Sequence, residues 1–375
     1  MTRAAAFCLC LSASAAFAQG KAAAPNQPLL DARKSAIEEL TKLRGSMAQL
    51  GCKGEVDDCD SVMKKILEPS KSINDKGMGT PYPGDEKLAE LMKTWSEAGD
   101  RLSASFKEAA AQLEGDAKAE AEMFAGWFES WSHVAKGVTH LNRRRKFCKL
   151  TPVMADWSGT LGGYLHGVYM AKNRDNRAAA SDPHHEDGKL PGYTLEGAAA
   201  AGGILGGGSS EYVMDSWLGS EYHREPVWSR NCSRVCFGGL APGGWWSCRN
   251  GGGGSGNVLA DVITFPGDGD TDISPIFGGE GPNPLEKYGM SQSGTLFVID
   301  FLRGKPKKPT VTLKDPEGNA SELLELGKAP MSFVAKNALK ENTKYTVEVL
   351  GQDGAKFSFS FTTGGKWGGK GGQEK

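Results

Sequence analysis

Net charge is what the chain has least of: 44 Lys and Arg stand against 45 Asp and Glu, leaving -1 at neutral pH. That balance excludes, at the level of total charge, the basic footprint of a nucleic-acid binder. No apolar run reaches the ~20 residues that a membrane-spanning helix needs, so the chain is not expected to be transmembrane. There is no HExxH pair, no P-loop and no dinucleotide fingerprint, and Ser209, Ser210 and Ser220 lack a Gly-x-Ser-x-Gly elbow. Gly202–Gly208 is glycine-rich but follows no clear strand and lacks a Lys-Ser/Thr pair, which argues against phosphate cradling. No internal repeat of roughly 20–50 residues is present. Histidine is scarce, with 6 in the chain, all between residues 133 and 223.

Glycine is abundant: 51 of 375 residues, without the period of collagen, crowded into 197–281 and the last dozen residues. The length suggests two or three domains at ~150 residues each. Residues 1–18 have the form of a secretory signal peptide. Arg3 is the positive start, Ala4–Ala15 the apolar core, and Ala16-Phe17-Ala18 a small-x-small cleavage site. The expected location is therefore periplasmic, cell-envelope or extracellular. Cys8 and Cys10 would leave with the signal. The remaining Cys52, Cys59, Cys148, Cys232, Cys236 and Cys248 are even in number, which in an exported chain favours three disulfides. A Cys52–Cys59 bond would close a short loop between two helices. The rival reading, a zinc site on Cys232-x3-Cys236, has weak spacing and no close His.

Periodicity organises the rest. Residues 19–27 read as a loose linker. Apolar residues every three or four positions predict helices over 28–50, 60–67, from Leu88 to Leu113, and over 117–146. Together these make a helical region at 28–135, with a glycine- and proline-rich loop at 74–85. Short helices, glycine loops and aromatics alternate to residue 265, and 266–290 reads as a linker. Thr295–Phe301, Thr310–Lys314, Lys344–Leu350 and Lys356–Thr362 have strand length and pattern, giving a small Ig-like β-sandwich at 291–363. Residues 364–375 read as a disordered Gly/Lys tail. The fold class expected is α+β and multidomain. The basic run Arg143–Lys146 reads as the solvated face of a helix.

The chemistry-bearing residues cluster between 160 and 225. His184-His185-Glu186-Asp187 sits in a loop, Glu196 follows, and Val213–Leu218 opens an apolar helix leading to Ser220-Glu221-Tyr222-His223. Two imidazoles and one or two carboxylates are a donor set for zinc or another divalent metal.

At these residues the chain resembles the CAP superfamily, the cysteine-rich secretory, antigen-five and pathogenesis-related proteins that share the SCP domain, and most of all its exported bacterial branch. The resemblance rests on several motifs in order: Leu141-Asn142-Arg143-Arg144-Arg145, Thr151-Pro152-Val153, Leu161–Ala171 with Tyr164, His166 and Met170, His184/His185, Glu196-Gly197, Val213–Trp217, and Tyr222-His223-Arg224 with Trp228. Ile263–Gly269 and Phe277-Gly278-Gly279-Glu280 extend it, so that it covers about 136–285. It implies a three-layer α-β-α sandwich at 136–265, with a cleft gathering two His and two acids. Carried over by position, these are His185, Glu196 and His223, with His184 and Glu221 as alternates. Ser220 stands where the second acid is expected. The expected function is a binding module for a divalent metal or a small apolar ligand, with small-molecule, lipid or cell-surface partners, no nucleic acid and no catalysis. The alternatives are a structural envelope or adhesion protein with a vestigial cleft, and a metal-assisted hydrolase. The sequence leaves the oligomeric state open.

Overall fold

The computed structural model describes residues 26–69, 84–241, 243–253 and 260–365. The segment read as a signal peptide at 1–18, nearly all of the stretch read as a linker at 19–27, residues 74–83 of the expected loop and the expected tail beyond 365 lie outside the described residues. Among the described residues the fold is mixed α and β, with helices first and sheets after. No helix there is long and apolar enough to cross a membrane.

Four helices open the chain: α1 (Gln27–Gln49), α2 (Lys53–Leu67), α3 (Asp85–Ala110) and α4 (Gly115–Phe147). Their apolar stripes are the reason they form and the reason they stay. Leu88, Leu91, Met92, Trp95, Leu102 and Phe106 of α3 are all buried, against Phe124, Trp127, Phe128 and Trp131 of α4. Trp95 stacks on Trp157 with centroids 5.0 Å apart and meets Trp131 edge-on at 5.2 Å. Asp85 and Glu86 in the first turn of α3 and Lys107 in its last suit the helix dipole.

The central unit follows: β1 (Met154–Ala155), α5 (Thr160–Lys172), α6 (Arg177–Ser181), α7 (Leu195–Ala201), β2 (Ile204–Gly207), α8 (Ser210–Leu218), α9 (Glu225–Trp228), β3 (Cys232–Gly239) and β4 (Trp245–Gly253). Its sheet runs β1-β3-β4-β2, with β1 parallel to β3 and the other pairs antiparallel. Successive side chains of β3 point to opposite faces. Phe237 meets Trp217 of α8 and packs where Gly137 of α4 leaves room. Gly238 lies under α5, so close that a Cβ there would sit 2.2 Å from the Thr160 carbonyl oxygen; one on Gly163 would sit 2.4 Å from that of Gly238. The two glycines let helix and strand touch backbone to backbone. Helices thus cover both faces of the sheet.

The last unit holds β5 (Val262–Phe265), β6 (Asp270–Ile273), β7 (Ile276–Phe277), β8 (Ser293–Gly294), β9 (Leu296–Phe301), β10 (Thr310–Lys314), β11 (Ala320–Ser321), β12 (Leu323–Lys328), β13 (Met331–Ala335), β14 (Lys344–Leu350) and β15 (Lys356–Thr363). A sheet ordered β11-β10-β14-β15-β6 faces one ordered β12-β13-β9-β5. Ile299, Phe333, Val347 and Phe359, drawn from both sheets, share one core. The strand pattern read from the sequence agrees with β9, β10, β14 and β15.

Three expectations change. The boundary at 135/136 falls inside α4, and one continuous hydrophobic core runs from Leu29 through the central sheet. The stretch 266–290 is no free linker, because β6 pairs with β15, and the sandwich already starts with β5 paired to β9. The basic run is a solvated face only at Arg143 and Lys146: Arg144 is 2% exposed and Arg145 0%. Arg145 donates to the carbonyls of Thr151, Val227, Ser229 and Cys232. A buried guanidinium is tolerable when its N–H groups are so taken up.

The six cysteines stand as free thiols, all but Cys236 fully buried. Cys52 caps the N-terminus of α2 and Cys59 lies seven residues on in the same helix. At 1.5 Å per residue they are ~10 Å apart, beyond the roughly 4.4–6.8 Å between Cα atoms that a disulfide spans. The expected Cys52–Cys59 loop therefore does not exist in this fold.

α2 is pinned to the sheet by a buried charge cluster. Arg234 of β3 pairs with Asp58, which also accepts the Trp157 backbone N–H at 3.1 Å. Glu55, one turn earlier, is wholly buried, and neither of its oxygens has a hydrogen-bond partner. Burial pushes its carboxyl up to about 7; Arg234 pulls the other way and Asp156 adds to the rise. The sign follows directly. A carboxyl that holds its proton more tightly in the folded chain destabilises that state once pH climbs above its unfolded value. We therefore predict that stability falls between about pH 4.5 and 7, by on the order of 3 kcal/mol from Glu55, with Asp58, whose carboxyl burial also raises, adding in the same direction, and that Glu55→Gln lessens that slope. Urea midpoints at pH 5 and pH 8 for both proteins measure it; a parallel pair of profiles would refute the assignment.

Candidate functional site

A cleft of about 520 Å³ lies where α8, the loop before α7, β2, β4 and the stretch 274–281 meet. Its polar side chains include His184, His223 and Glu280; its aromatic ones are Tyr212, Trp217, Trp245 and Phe277. Each is placed by local structure with a plain cause. Ser209 caps α8 by accepting the Tyr212 N–H at 3.2 Å, which orients that helix. The Trp217 indole donates to the Leu205 carbonyl at 3.0 Å, fixing α8 to β2. After α8 the chain turns on Ser220, whose hydroxyl donates to the Trp217 carbonyl at 2.7 Å and accepts the His223 N–H at 3.2 Å. Ser220 thus shapes a turn, with no base beside it.

Glu280 locks that turn. Its carboxylate accepts the backbone N–H groups of Glu221 and Tyr222 and sits 2.6 Å from Nδ1 of His223. Nδ1 of His184 lies 2.9 Å from the Ala201 carbonyl. A carbonyl or carboxylate oxygen only accepts, so Nδ1 carries the proton in both rings. Nε2 of each, an acceptor in the neutral ring and a donor in the imidazolium, has no partner among the described residues.

A further polar group of the cleft, Asp215, faces inward to the scaffold. It accepts from Nε of Arg144 at 2.8 Å and meets His140 at 2.7 Å. Burial would raise its carboxyl, but the His140 and Arg144 contacts outweigh that and hold it below the usual range.

The structure sorts the sequence candidates. His223 and the alternate His184 line the cleft. His185 does not: its ring is 83% exposed and meets only Asp182, at 3.0 Å. Glu196 is held in an ion pair by the buried Lys65 of α2. Glu221 accepts from Ser332 of β13 at 2.9 Å and pairs with Arg224. His166 is buried with Glu186 at 2.9 Å. The set His185, Glu196 and His223 is therefore not gathered at one point. Among the described residues no group of three or more His, Cys, Asp or Glu side chains is placed to hold a metal ion. The acid beside His223 is Glu280, which sequence reasoning did not choose, although Phe277-Gly278-Gly279-Glu280 marked the place.

Against family models, characterised proteins and solved structures, the chain has no significant match.

Three charge-assisted bonds converge on Glu280, each worth roughly 1.5–3 kcal/mol where buried. Glu280→Ala should lower stability by about 2–4 kcal/mol and expose the amides of Glu221 and Tyr222 to solvent. Amide hydrogen exchange reads this residue by residue; unchanged protection there would show that the turn stands without Glu280.

Proposed function

We propose that the chain is a non-catalytic binding protein of the cell envelope or extracellular space. In this reading its central unit is CAP/SCP-like and its cleft takes a small ligand with an apolar body. The observation that carries this is the composition of the cleft: aromatic side chains together with a few fixed polar groups, the usual make-up of a small-molecule site. The Ig-like sandwich would act as a spacer or adhesive module, by analogy of fold alone. The motif order from Leu141 to Glu280 supports the family reading, and the Ala-rich start supports export.

A resident divalent metal fits this donor set less well. Glu196 is occupied by Lys65, His185 points to solvent, and His223 already spends Nδ1 on Glu280. The hydrolase reading loses its general base for the same reason, since a Glu196 carboxylate neutralised by a buried lysine is not free to take a proton from water.

Native mass spectrometry of residues 19–375, exported through an oxidising compartment, tests the proposal. The expected spectrum carries a small-molecule-sized excess that His184→Ala plus His223→Ala removes while circular dichroism stays unchanged. A zinc-sized excess would replace the ligand reading with a metal site. A bare mass from every preparation would leave the structural-protein reading in its place.

A further inference from the structure

The chemistry of the cleft says which small molecules it suits, and the argument rests on the binding reading above. No Lys or Arg lines it. The nearby guanidiniums are spent elsewhere: Arg144 on Asp215, Asp270 and two backbone carbonyls, and Arg224 on the Ser220 carbonyl and Glu221. What the cleft offers instead is acceptors. In the neutral rings Nε2 of His184 and of His223 are lone pairs, and Glu280 brings a carboxylate that already accepts from Glu221, Tyr222 and His223. The α8 helix also ends there, at Ser216–Gly219, with the negative pole of its dipole. Around these acceptors stand Trp245, Trp217, Tyr212 and Phe277, whose ring faces attract cations.

We infer that the cleft recognises a protonated organic amine carrying an apolar group, the ammonium N–H groups meeting His184, His223 and Glu280 and the apolar part lying among the aromatic side chains. An anion would meet a carboxylate and a helix C-terminus with no Lys or Arg lining the cleft to offset them. A neutral alcohol would keep the apolar contact and lose the charge. A metal ion would gain little from the aromatic side chains.

Calorimetric titration of the full chain with benzylammonium, benzyl alcohol and benzoate separates these cases. The expected order is benzylammonium tightest, benzyl alcohol about tenfold weaker, and benzoate undetectable. Glu280→Gln is expected to weaken benzylammonium about fivefold and leave benzyl alcohol unchanged. Ser216→Lys, on a helix position that tolerates lysine, keeps the test open if the first variant unfolds; it should abolish benzylammonium binding and spare the alcohol. Alcohol or benzoate binding as tightly as the amine would overturn the amine assignment while leaving the binding-protein reading intact. Silence with all three probes would also overturn it, and the mass of a copurifying ligand would then decide the broader reading separately.

Discussion

One guanidinium holds three parts of this molecule in register. Arg144, near the end of α4, donates Nε and Nη2 to Asp215 of α8, Nη1 to Asp270 of β6, and further to the carbonyls of Thr271 and Asp272. All five of its N–H donors are placed. The two acids share its charge unequally. Asp215 takes two N–H contacts and His140 besides, and is held below the usual carboxylate range. Asp270 is pushed up by burial, which Arg144 only partly offsets, and one of its oxygens has no partner. Taking one member away would leave an uncompensated charge in the core, a loss far larger than the net worth of the intact group. The helical layer, the cleft wall and the sandwich therefore depend on a contact that touches no ligand.

Arg234 does related work on the opposite side, joining α2 to the sheet through Asp58, yet its surroundings are less complete. Nε and Nη1 of Arg234 and both oxygens of Glu55 lack partners inside a shell of Trp95 and Trp157. The first arginine has every donor placed, while the second leaves Nε and Nη1 unpaired.

Much of this was legible in the sequence, and the limits were physical. α3 and α4 could be read because their stripes repeat without a break, and Lys344–Leu350 because it alternates. α2 was read short, since its first turns carry Glu55 and Asp58, acids that look like surface until the buried arginine is seen. β5 and β6 were missed because their partners, β9 and β15, lie far along the chain and no local pattern announces that pairing. Arg144 and Arg145 read as solvated because periodicity scores them as charge, while burial depends on carbonyls and carboxylates brought from α9, β3 and β6. Of the site, His223 was legible from its motif. The choice between His184 and His185, and between Glu196 and Glu280, depends on which loop side chain turns inward, which sequence order does not encode.

The wall formed by residues 274–281 belongs to the same stretch of chain that supplies strands to the sandwich, while the opposite wall belongs to the central unit. The cleft is thus a product of docking and not the property of either unit. Under the proposed binding reading, a ligand touching both walls would favour the seated sandwich, and loosening that joint would weaken its hold on the ligand.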